Sequence, residues 1–297
     1  MSSTNKTPNL ELSQFEPSDI PQWQDDYNAD MEKIDEAVDG VLGGLSAHVA
    51  DTDNPHEVTA AQTGALTEEQ GNDIYARQTT GDMTLWVATD GSDTAGDGSE
   101  GNPYLTFPHA IRQVPQVVNH TVTINVKPGR YAHSFIIDGF SGRGTINVFG
   151  ATTLAAAPQF AINNFQVHRC HLGVIVRGFA AVDNNGFSVY NSRNVGFQMC
   201  ECVGDASKKG AAFYALQGSD IVCTSCKATN KNAAFYSNHA SSIFLIECSG
   251  TGNRYALYAD LGGMVIVGSG TNVGGTYPTG AGYGGMIFKT PSSVLVV

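Results

Sequence analysis

The sequence predicts a mainly β protein in which a right-handed parallel β-helix follows an N-terminal α-helical stalk of the short coiled-coil type. Three observations support this fold class. The 34 glycines and 11 prolines are spread without a triplet period among many aliphatic and aromatic residues, which is typical of short strands joined by tight turns. A repeat with a period of about 22 residues occupies the second half of the chain, and an apolar period of about 3.5 residues lies near its start.

Charge and hydropathy narrow the class of partner. Charged residues make up 15% of the 297 residues, yet the net charge is −12, so the chain lacks the basic face that nucleic acid or an anionic membrane requires. No apolar run approaches the roughly 20 residues that span a bilayer. The start, MSSTNKTPNLEL, has neither the basic nor the apolar region of a secretory signal. We therefore expect a soluble protein made in the cytoplasm, with no membrane insertion, no nucleic-acid partner and no cofactor.

Capping and periodicity indicate the N-terminal stalk. Ser18 is a candidate N-cap, and Pro21 stands in the first turn after it. Glycines at 40, 43 and 44 are expected to end the helix. Apolar residues recur in steps of 4, 3, 4 and 3, the mean of 3.5 that makes helices supercoil; they are Tyr27, Met31, Ile34, Val38 and Val41. An oligomerising stalk is the preferred interpretation, and an amphipathic helix packed on a globular domain is the alternative.

The segment 48–65, HVADTDNPHEVTAAQTGA, has no clear helical or strand period. Its core resembles a short module of bacteriophage tail fibres; the matching residues are His48, Asn54-Pro55-His56, Val58-Thr59, Ala60-Ala61-Gln62 and Gly64-Ala65. The leader 5–38 likewise resembles the baseplate-proximal segment of prophage tail proteins. This resemblance covers the chain from Met1 to about Ala65. It implies a homotrimer that attaches through its N-terminal region to the baseplate of a phage tail or tail-like particle.

His48 and His56 are weak candidate metal ligands. On a three-fold axis their imidazoles could share one ion, since neutral imidazole is a common ligand. The alternative is that both rings hydrogen-bond backbone at turns beside Pro55. No carboxylate–histidine spacing here matches a known metal cage, so we prefer the structural interpretation and predict no metal.

Four tyrosines mark the repeat. Tyr190, Tyr214, Tyr236 and Tyr258 follow one another at sequence intervals of 24, 22 and 22. Aligning them produces further columns; one position earlier stand Val189, Phe213, Phe235 and Leu257, and twelve positions later stand Cys202, Cys226 and Cys248. The period is too short for a propeller blade, and the leucines and asparagine of leucine-rich repeats are missing. It suits one coil of a parallel β-helix, in which like side chains stack about 4.8 Å apart.

The segment 85–115, LWVATDGSDTAGDGSEGNPYLTFPHAIRQVP, resembles the start of pectate-lyase-like β-helices. In that family a strand and a glycine-rich loop lead to a short helix that caps the first coil. The resemblance implies a capping helix from Phe107 to Val114. A cap is physically reasonable, because an open end would expose unpaired backbone groups and apolar core. The aspartates of DGSDTAGDG, 90–98, could hold calcium, although their spacing departs from the EF-hand loop.

The cysteines are expected to be buried. Cys202, Cys226 and Cys248 would stack as a column of small apolar side chains. A zinc site from Cys200-x-Cys202 and Cys223-x-x-Cys226 is the rival interpretation, but residues three apart on a strand point to opposite faces unless a turn separates them. Disulfides are less expected in a chain without an export signal.

The tyrosine column is the candidate ligand-binding site. If the column before it points inward, alternation places Tyr190, Tyr214, Tyr236 and Tyr258 outside. Aromatic faces offer apolar area to sugar rings and the hydroxyls offer hydrogen bonds. The same column could instead be the seam between subunits of a trimer, and both interpretations remain open.

A depolymerising tailspike, a glycoside hydrolase or lyase, is the alternative function that the resemblance implies. Inverting glycoside hydrolysis uses two carboxyl groups about 6.5–9.5 Å apart. Glu201 and Glu247 are the candidate catalytic pair, because the alignment puts them in one column, two coils or about 9.6 Å apart. Solvated surface charge is the more ordinary explanation, and the coils contain no lyase-type cluster of acids with lysine or arginine.

These predictions divide the chain into three parts. Residues 1–47 form a tail-attachment leader and helical trimerisation stalk, 48–84 form the tail-fibre module and a linker, and 85–297 form a capped, receptor-binding β-helix. The expected function is attachment of a phage, or of a phage-derived bacteriocin, to host polysaccharide or teichoic acid, with a location in the virion tail. A purely structural fibre segment is the third and weaker hypothesis.

Overall fold

A computed structural model describes residues 5–20, 23–51, 59–67, 70–71, 75–205, 207, 209–290 and 295–296. The chain divides into two compact units, Met1–Ile74 and Tyr75–Val297. His56, the Asn-Pro pair before it, Val58 and part of the predicted linker lie outside the described residues.

The first unit contains two short strands and a long helix. Strand β1 (Asn5–Lys6) pairs antiparallel with β2 (Ser13–Gln14), and helix α1 spans Trp23–Ala50. The backbone N–H of Ser13 donates to the Asp30 carboxylate at 2.8 Å, which ties β2 to the helix. The predicted N-terminal helix is confirmed.

Helix α1 is longer than the sequence predicts. The expectation that Gly40, Gly43 and Gly44 end it is wrong, because the helix continues through all three to Ala50. Glycine within a helix costs only about 1 kcal/mol relative to alanine, so three glycines weaken the helix without ending it. His48 therefore lies in the last helical turn rather than in an irregular segment.

The added length extends the apolar series of α1 to Leu45. Side chains at steps of 4, 3, 4, 3 and 4 now line one side of the helix. In the single chain most of them are exposed, at 64% for Tyr27, 38% for Met31, 49% for Val38, 71% for Val41 and 56% for Leu45. An exposed stripe with this period matches the seam of a coiled coil.

A second short helix explains part of the tail-fibre-like motif. Helix α2 spans Ala60–Thr63. The Thr59 hydroxyl accepts from the Gln62 N–H at 3.3 Å, and the Gln62 side-chain oxygen accepts from the Thr59 N–H at 2.8 Å, which is a capping box. Gly64 ends the helix with φ of 70°, a conformation that glycine adopts without strain. This part of the motif therefore forms a short helix with a cap at each end.

The second unit is a parallel β-solenoid of about eight turns, and the predicted right-handed β-helix is confirmed. In most coils the chain passes from one strand of a first sheet to two strands of a second sheet, so that the coils have three sides, named face 1, face 2 and face 3.

Face 1 is a ten-stranded sheet. Its strands are β3 (Met83–Val87), β4 (Thr121–Val126), β7 (Ser141–Phe149), β10 (His171–Arg177), β13 (Val195–Gln198), β16 (Asp220–Thr224), β19 (Ser242–Ile246), β21 (Met264–Val267), β23 (Met286–Lys289) and β24 (Leu295–Val296). They lie in this order across the sheet. All neighbours are parallel except β24, which pairs antiparallel with β23.

Faces 2 and 3 belong to a second, twelve-stranded sheet. Face 2 contains β5 (Gly129–Tyr131), β8 (Phe160–Ile162), β11 (Ala180–Ala181), β14 (Glu201–Val203) and β17 (Lys227–Thr229). Face 3 contains β6 (Phe135–Asp138), β9 (Phe165–His168), β12 (Phe187–Tyr190), β15 (Ala211–Leu216) and β18 (Ala233–Ser237). The long strand β20 (Ser249–Ala259) pairs with β17 of face 2 and with β18 of face 3, and β22 (Asn272–Ala281) pairs with β20. A 3₁₀-helix, Leu154–Gln159, precedes β8.

A phenylalanine stack fills the interior beside face 3. Its members are Cα partners on successive coils and are fully buried; they are Phe135, Phe165, Phe187, Phe213 and Phe235. The rings of Phe187 and Phe213 lie 5.0 Å apart and are 8° from parallel. The stack fixes which residues point inward, and by alternation which residues of face 3 point outward.

The predicted capping helix is confirmed, although it ends at Arg112 and not at Val114. Helix α3 spans Phe107–Arg112 and is N-capped by Thr106. The ring of Phe107 continues the interior stack, 4.3 Å from Phe135 and 6° from parallel. Its predicted apolar side is buried, with Ala110 at 0% and Val114 at 4% exposure.

Candidate functional site

Three tyrosines form a regular column on the outer surface of face 3. Tyr214, Tyr236 and Tyr258 are Cα partners on consecutive coils, as the repeat predicts. The rings of Tyr214 and Tyr236 are 4.7 Å apart and 12° from parallel. The Tyr258 ring meets Tyr236 edge-on, at 5.0 Å and 72°. Inward-pointing Phe213 and Phe235 lie beside them, so the predicted outward orientation is confirmed for these three.

Tyr190 does not occupy the predicted position. Its Cα partner is Leu216, while Ser188 pairs with Tyr214, so the predicted alignment was wrong by two positions on this coil. The cause is the connection 204–210, which is longer by four than the equivalent connection 230–232. The Tyr190 ring nevertheless reaches the row, with its centroid 6.3 Å from that of Tyr214.

Two further tyrosines, which the repeat alignment did not select, lengthen the row. The Tyr255 ring lies 5.0 Å from Tyr258 and 5.2 Å from Tyr277. Gly280, the Cα partner of Tyr258, leaves the space for these rings, because a Cβ there would lie 2.6 Å from Tyr258 and 2.8 Å from Tyr255. The sequence contains a signal for this pair, since Tyr255 and Tyr277 are 22 residues apart, which is the period of the repeat. We call the six rings the tyrosine row; they are Tyr190, Tyr214, Tyr236, Tyr258, Tyr255 and Tyr277.

The hydroxyl groups in the middle of the tyrosine row remain protonated at neutral pH. Burial raises the pKa of Tyr236 to about 12, and neighbouring phenols and Asp260 add to this. Burial also raises the pKa of Tyr214 and of Tyr258, with Asp260 contributing in both cases. The Asn238 amide donates to the Tyr236 hydroxyl at 2.8 Å. A protonated phenol held in this way can donate a hydrogen bond to a ligand.

Polar side chains flank the Tyr190 end of the row. Asp138, His168 and Tyr190 are Cα partners on consecutive coils, and the His168 ring lies 4.8 Å from that of Tyr190 at 87°. Arg169 forms an ion pair with Asp138. Among the described residues, Asp138 Oδ1 and His168 Nε2 are buried without a hydrogen-bond partner. The row therefore combines aromatic surface with polar groups at one end.

Glu201 and Glu247 do not share the column in which the sequence alignment placed them. Glu201 pairs with Lys227, which pairs with Ser249, so Glu247 stands two positions before that column. Glu247 lies in the turn after β19 with φ of 54°, where it accepts from the Ser225 hydroxyl at 3.0 Å. The separation argument for a catalytic pair therefore does not apply. The same misalignment at 204–210 is responsible.

Glu201 is nevertheless an unusual carboxylate. It is only 7% exposed, and it forms an ion pair with the Lys227 ammonium, 3.6 Å away. Both side chains line a cleft of about 540 Å³ on face 2, whose other wall is the 3₁₀-helix with Leu154, Ala155 and Pro158. Nothing in the sequence signalled this wall, because the 3₁₀-helix lies in an irregular segment between strands.

The cysteines are buried, as predicted, but in a different arrangement. The stacked column is Cys200, Cys226 and Cys248, each directly before a strand of face 2, and Cys202 is not part of it. Cys223 also points inward, because the turn at Ser225, with φ of 52°, separates it from Cys226. Burial raises the pKa of Cys226 well above its ordinary value, and the neighbouring thiols add to this. A neutral thiol is the form that packs as an apolar side chain.

Potential metal ligands do not cluster in the described ranges, where no group of three or more His, Cys, Asp or Glu side chains is placed to hold a metal ion. His56, the second member of the candidate pair with His48, lies outside those ranges. In the DGSDTAGDG loop, the Asp93 carboxylate accepts from the N–H groups of Leu105 and Thr106 at 2.9 and 3.0 Å. Asp93 therefore holds the start of the capping helix.

Comparison with known proteins gives no family assignment. The chain matches no family model, no curated protein and no solved structure. No described helix has the length and apolar character needed to cross a membrane. The N-terminal part, Met1 to about Ala65, thus resembles tail-fibre modules only through the residues quoted above. What this resemblance implies about function stays a prediction.

Proposed function

We propose that this chain is a tail fibre, or receptor-binding protein, of a bacteriophage or phage-derived bacteriocin, and that it attaches the particle to a glycan on the host surface. The tyrosine row carries this proposal. Most exposed aromatic side chains on a soluble protein are isolated, whereas six rings here form one continuous row with centroid separations from 4.7 to 6.3 Å. Aligned aromatic surface of this kind suits the apolar faces of successive sugar rings.

The charge beside the three regularly stacked tyrosines favours one of the two expected glycan classes. Asp260 lies close enough to Tyr214, Tyr236 and Tyr258 to raise the pKa of each. A negative group there disfavours the phosphates of a teichoic acid, since like charges repel. A neutral or amino-sugar polysaccharide is therefore the proposed ligand.

In the proposed particle, three chains associate through the exposed apolar stripe of α1, and the N-terminal region docks to a baseplate protein. Three weak sugar sites then act together, because binding at the first raises the effective concentration at the others. This arrangement gives firm attachment even if each tyrosine row binds its sugar weakly.

A depolymerase is the second candidate, because the buried Glu201 carboxylate lines a cleft large enough for a sugar ring. A glycosidase needs a second carboxyl group within about 5–9.5 Å, and Glu247 is not in the same column. Binding without cleavage is therefore preferred. Shorter glycan products after incubation with the protein, abolished by Glu201→Gln, would reverse this preference.

A microarray of bacterial surface polysaccharides and teichoic acids tests the proposal. We expect the full-length protein to bind neutral or amino-sugar polysaccharides, and the Tyr214→Ser/Tyr236→Ser/Tyr258→Ser variant to lose at least about tenfold in affinity, since aromatic contacts contribute about 0.5–1.5 kcal/mol each beyond area burial. Tyr75→Ser is the matched control, because Tyr75 is 66% exposed and outside the row. Equal binding by all three proteins would contradict a role for the row. No binding by the wild type would favour a purely structural fibre segment.

A further inference from the structure

Face 1 has an apolar outer surface in its C-terminal half. Outward positions on β16, β19, β21 and β23 carry a group of side chains that we call the apolar strip; they are Val222, Phe244, Ile246, Met264, Ile266, Met286 and Phe288. Val222 is 43% and Met286 is 41% exposed, and the others are partly exposed. Contiguous exposed apolar surface of this kind on a soluble protein marks an interaction site.

The strip is continuous because its residues are in register. Val222, Phe244, Ile266 and Phe288 are Cα partners on four consecutive coils. Gly268, directly after β21, leaves room for the Phe244 ring, since a Cβ there would lie 3.3 Å from that ring. The strip is therefore a built surface of the repeat and not a chance cluster of side chains.

Among the described residues of face 1, charged side chains stand around the edge of the strip. On one side, Asp220 lies 3.9 Å from Arg193 and accepts from the Ser242 hydroxyl at 2.7 Å. On the other side, Glu247 accepts from the Ser225 hydroxyl, and Lys289 follows the last member. An apolar centre with a polar rim is the usual anatomy of a protein–protein interface.

We infer that the apolar strip is the seam at which copies of this chain pack against one another, which leaves the tyrosine row free for ligand. This inference rests on the proposed function in one respect, the association of several chains. It assigns the partner as a second copy. The sequence alone left open whether the tyrosine column binds ligand or forms the seam between subunits, and this inference gives the seam to the apolar strip.

The exposed coiled-coil stripe of α1 favours a second copy as the occupant, and net charge favours face 1 as the contact. Each chain carries −12, so identical chains repel unless they meet at uncharged surface. Face 2 presents the Glu201–Lys227 pair, and face 3 presents Asp138 and Arg169 beside the tyrosine row. The strip on face 1 is the surface that two like-charged copies can bring together without burying a charge, and burying an unpaired charge is strongly unfavourable.

Helix α1 explains how so small a strip can be sufficient. Its exposed stripe, from Tyr27 to Leu45, provides a second apolar surface in the same chain. Once copies associate through α1, their solenoids meet at a high effective concentration. The strip then needs to contribute specificity and a central apolar anchor rather than the whole binding energy.

The test compares two matched valines in the full-length chain. Val222 in the strip is 43% exposed and Val203 on face 2 is 44% exposed, so the two positions are matched in exposure. We expect Val222→Glu to weaken self-association at least about 30-fold, which is about 2 kcal/mol, because it buries an unpaired charge at the seam. Val203→Glu should leave association unchanged. Sedimentation equilibrium over a range of concentrations measures both, and circular dichroism verifies folding.

The outcomes separate this inference from the proposed function. If the wild type associates and neither glutamate variant changes the association, or both weaken it equally, the seam lies elsewhere while the proposed association of copies stands. If the wild type is a single chain at all concentrations, both the seam and the proposed trimer are wrong. As a second measurement, peroxide oxidation of Met264 and Met286 should be slower in the assembled wild type than in Val222→Glu, and equal rates would overturn the seam.

Discussion

At the scale of single residues, the solenoid contains a buried lysine whose ammonium group holds a turn in place. Lys231 is 1% exposed, and its ammonium donates to the carbonyl oxygens of Asp183 at 2.7 Å and Asn184 at 3.1 Å. These acceptors lie in the connection before β12, two coils away in the chain. The lysine thus fixes a turn whose carbonyl groups point into the protein.

Replacing this lysine should destabilise the second unit. Lys231→Met keeps the length of the side chain but removes the donor to two partly buried carbonyls, at a cost of about 1–3 kcal/mol. We expect the urea midpoint to fall accordingly. Lys289→Met, at an exposed position, is the control and should change the midpoint little. Equal midpoints for the two variants would show that the Lys231 contacts do not stabilise the fold.

Two histidines should make stability depend on pH. Burial lowers the pKa of His133 and of His168, against the opposing attraction of Asp93 and Asp138 respectively. Just below the ordinary histidine pKa of about 6.5 the unfolded chain therefore binds more protons than the folded chain, so stability falls as the pH falls through this window. Melting temperatures measured on either side of about pH 6.5 test this. The His133→Gln/His168→Gln variant should show a shallower dependence, and an unchanged slope would contradict the argument.

At the scale of elements, a glycine within α1 can be compared with the glycine that ends α2. Gly43 lies within the helix and Gly64 ends α2 with φ of 70°, yet a Cβ would meet no atom within 4 Å at either position. Only backbone conformation distinguishes them. Gly43→Ala should stabilise α1 by about 1 kcal/mol, and Gly64→Ala should be destabilising. Helix content by circular dichroism and the melting temperature measure both changes, and an equal effect of the two substitutions would contradict it.

The elements also show what the sequence could and could not predict. The stacked register of Tyr214, Tyr236 and Tyr258 was predictable, because the coils that carry them are equal in length. The coil before them was misaligned because the connection 204–210 is four residues longer than its equivalent in the next coil. The interval of 24 residues between Tyr190 and Tyr214 concealed the true offset of 26 residues between the Cα partners Phe187 and Phe213. A turn can absorb such an insertion without disturbing the strands. Alignment on the buried phenylalanines would have found it.

That single error propagated to the candidate sites. It placed Cys202 in the cysteine column in place of Cys200, and it placed Glu201 in line with Glu247. The cleft beside Glu201 was beyond prediction for a different reason. Its wall depends on where the 3₁₀-helix packs, which is a long-range contact with no periodic signal.

At the scale of the whole molecule, we assign a separate task to each apolar surface. In this proposal the stripe of α1 and the apolar strip of face 1 hold copies together, and the tyrosine row of face 3 meets the glycan. Both surfaces of the solenoid arise from the same alternation, since each coil adds one inward and one outward residue in register with the coil before. Repetition therefore builds an extended binding row from small, similar units.

Hydroxyl-radical footprinting of the full-length protein, with and without the polysaccharide selected on the microarray, tests the central claim most directly. It reports the accessibility of every tyrosine in one experiment. We expect the glycan to reduce labelling at Tyr214, Tyr236 and Tyr258 while Tyr75, which is 66% exposed, stays unchanged. Protection of other surfaces, with these three tyrosines as reactive as in the free protein, would contradict it.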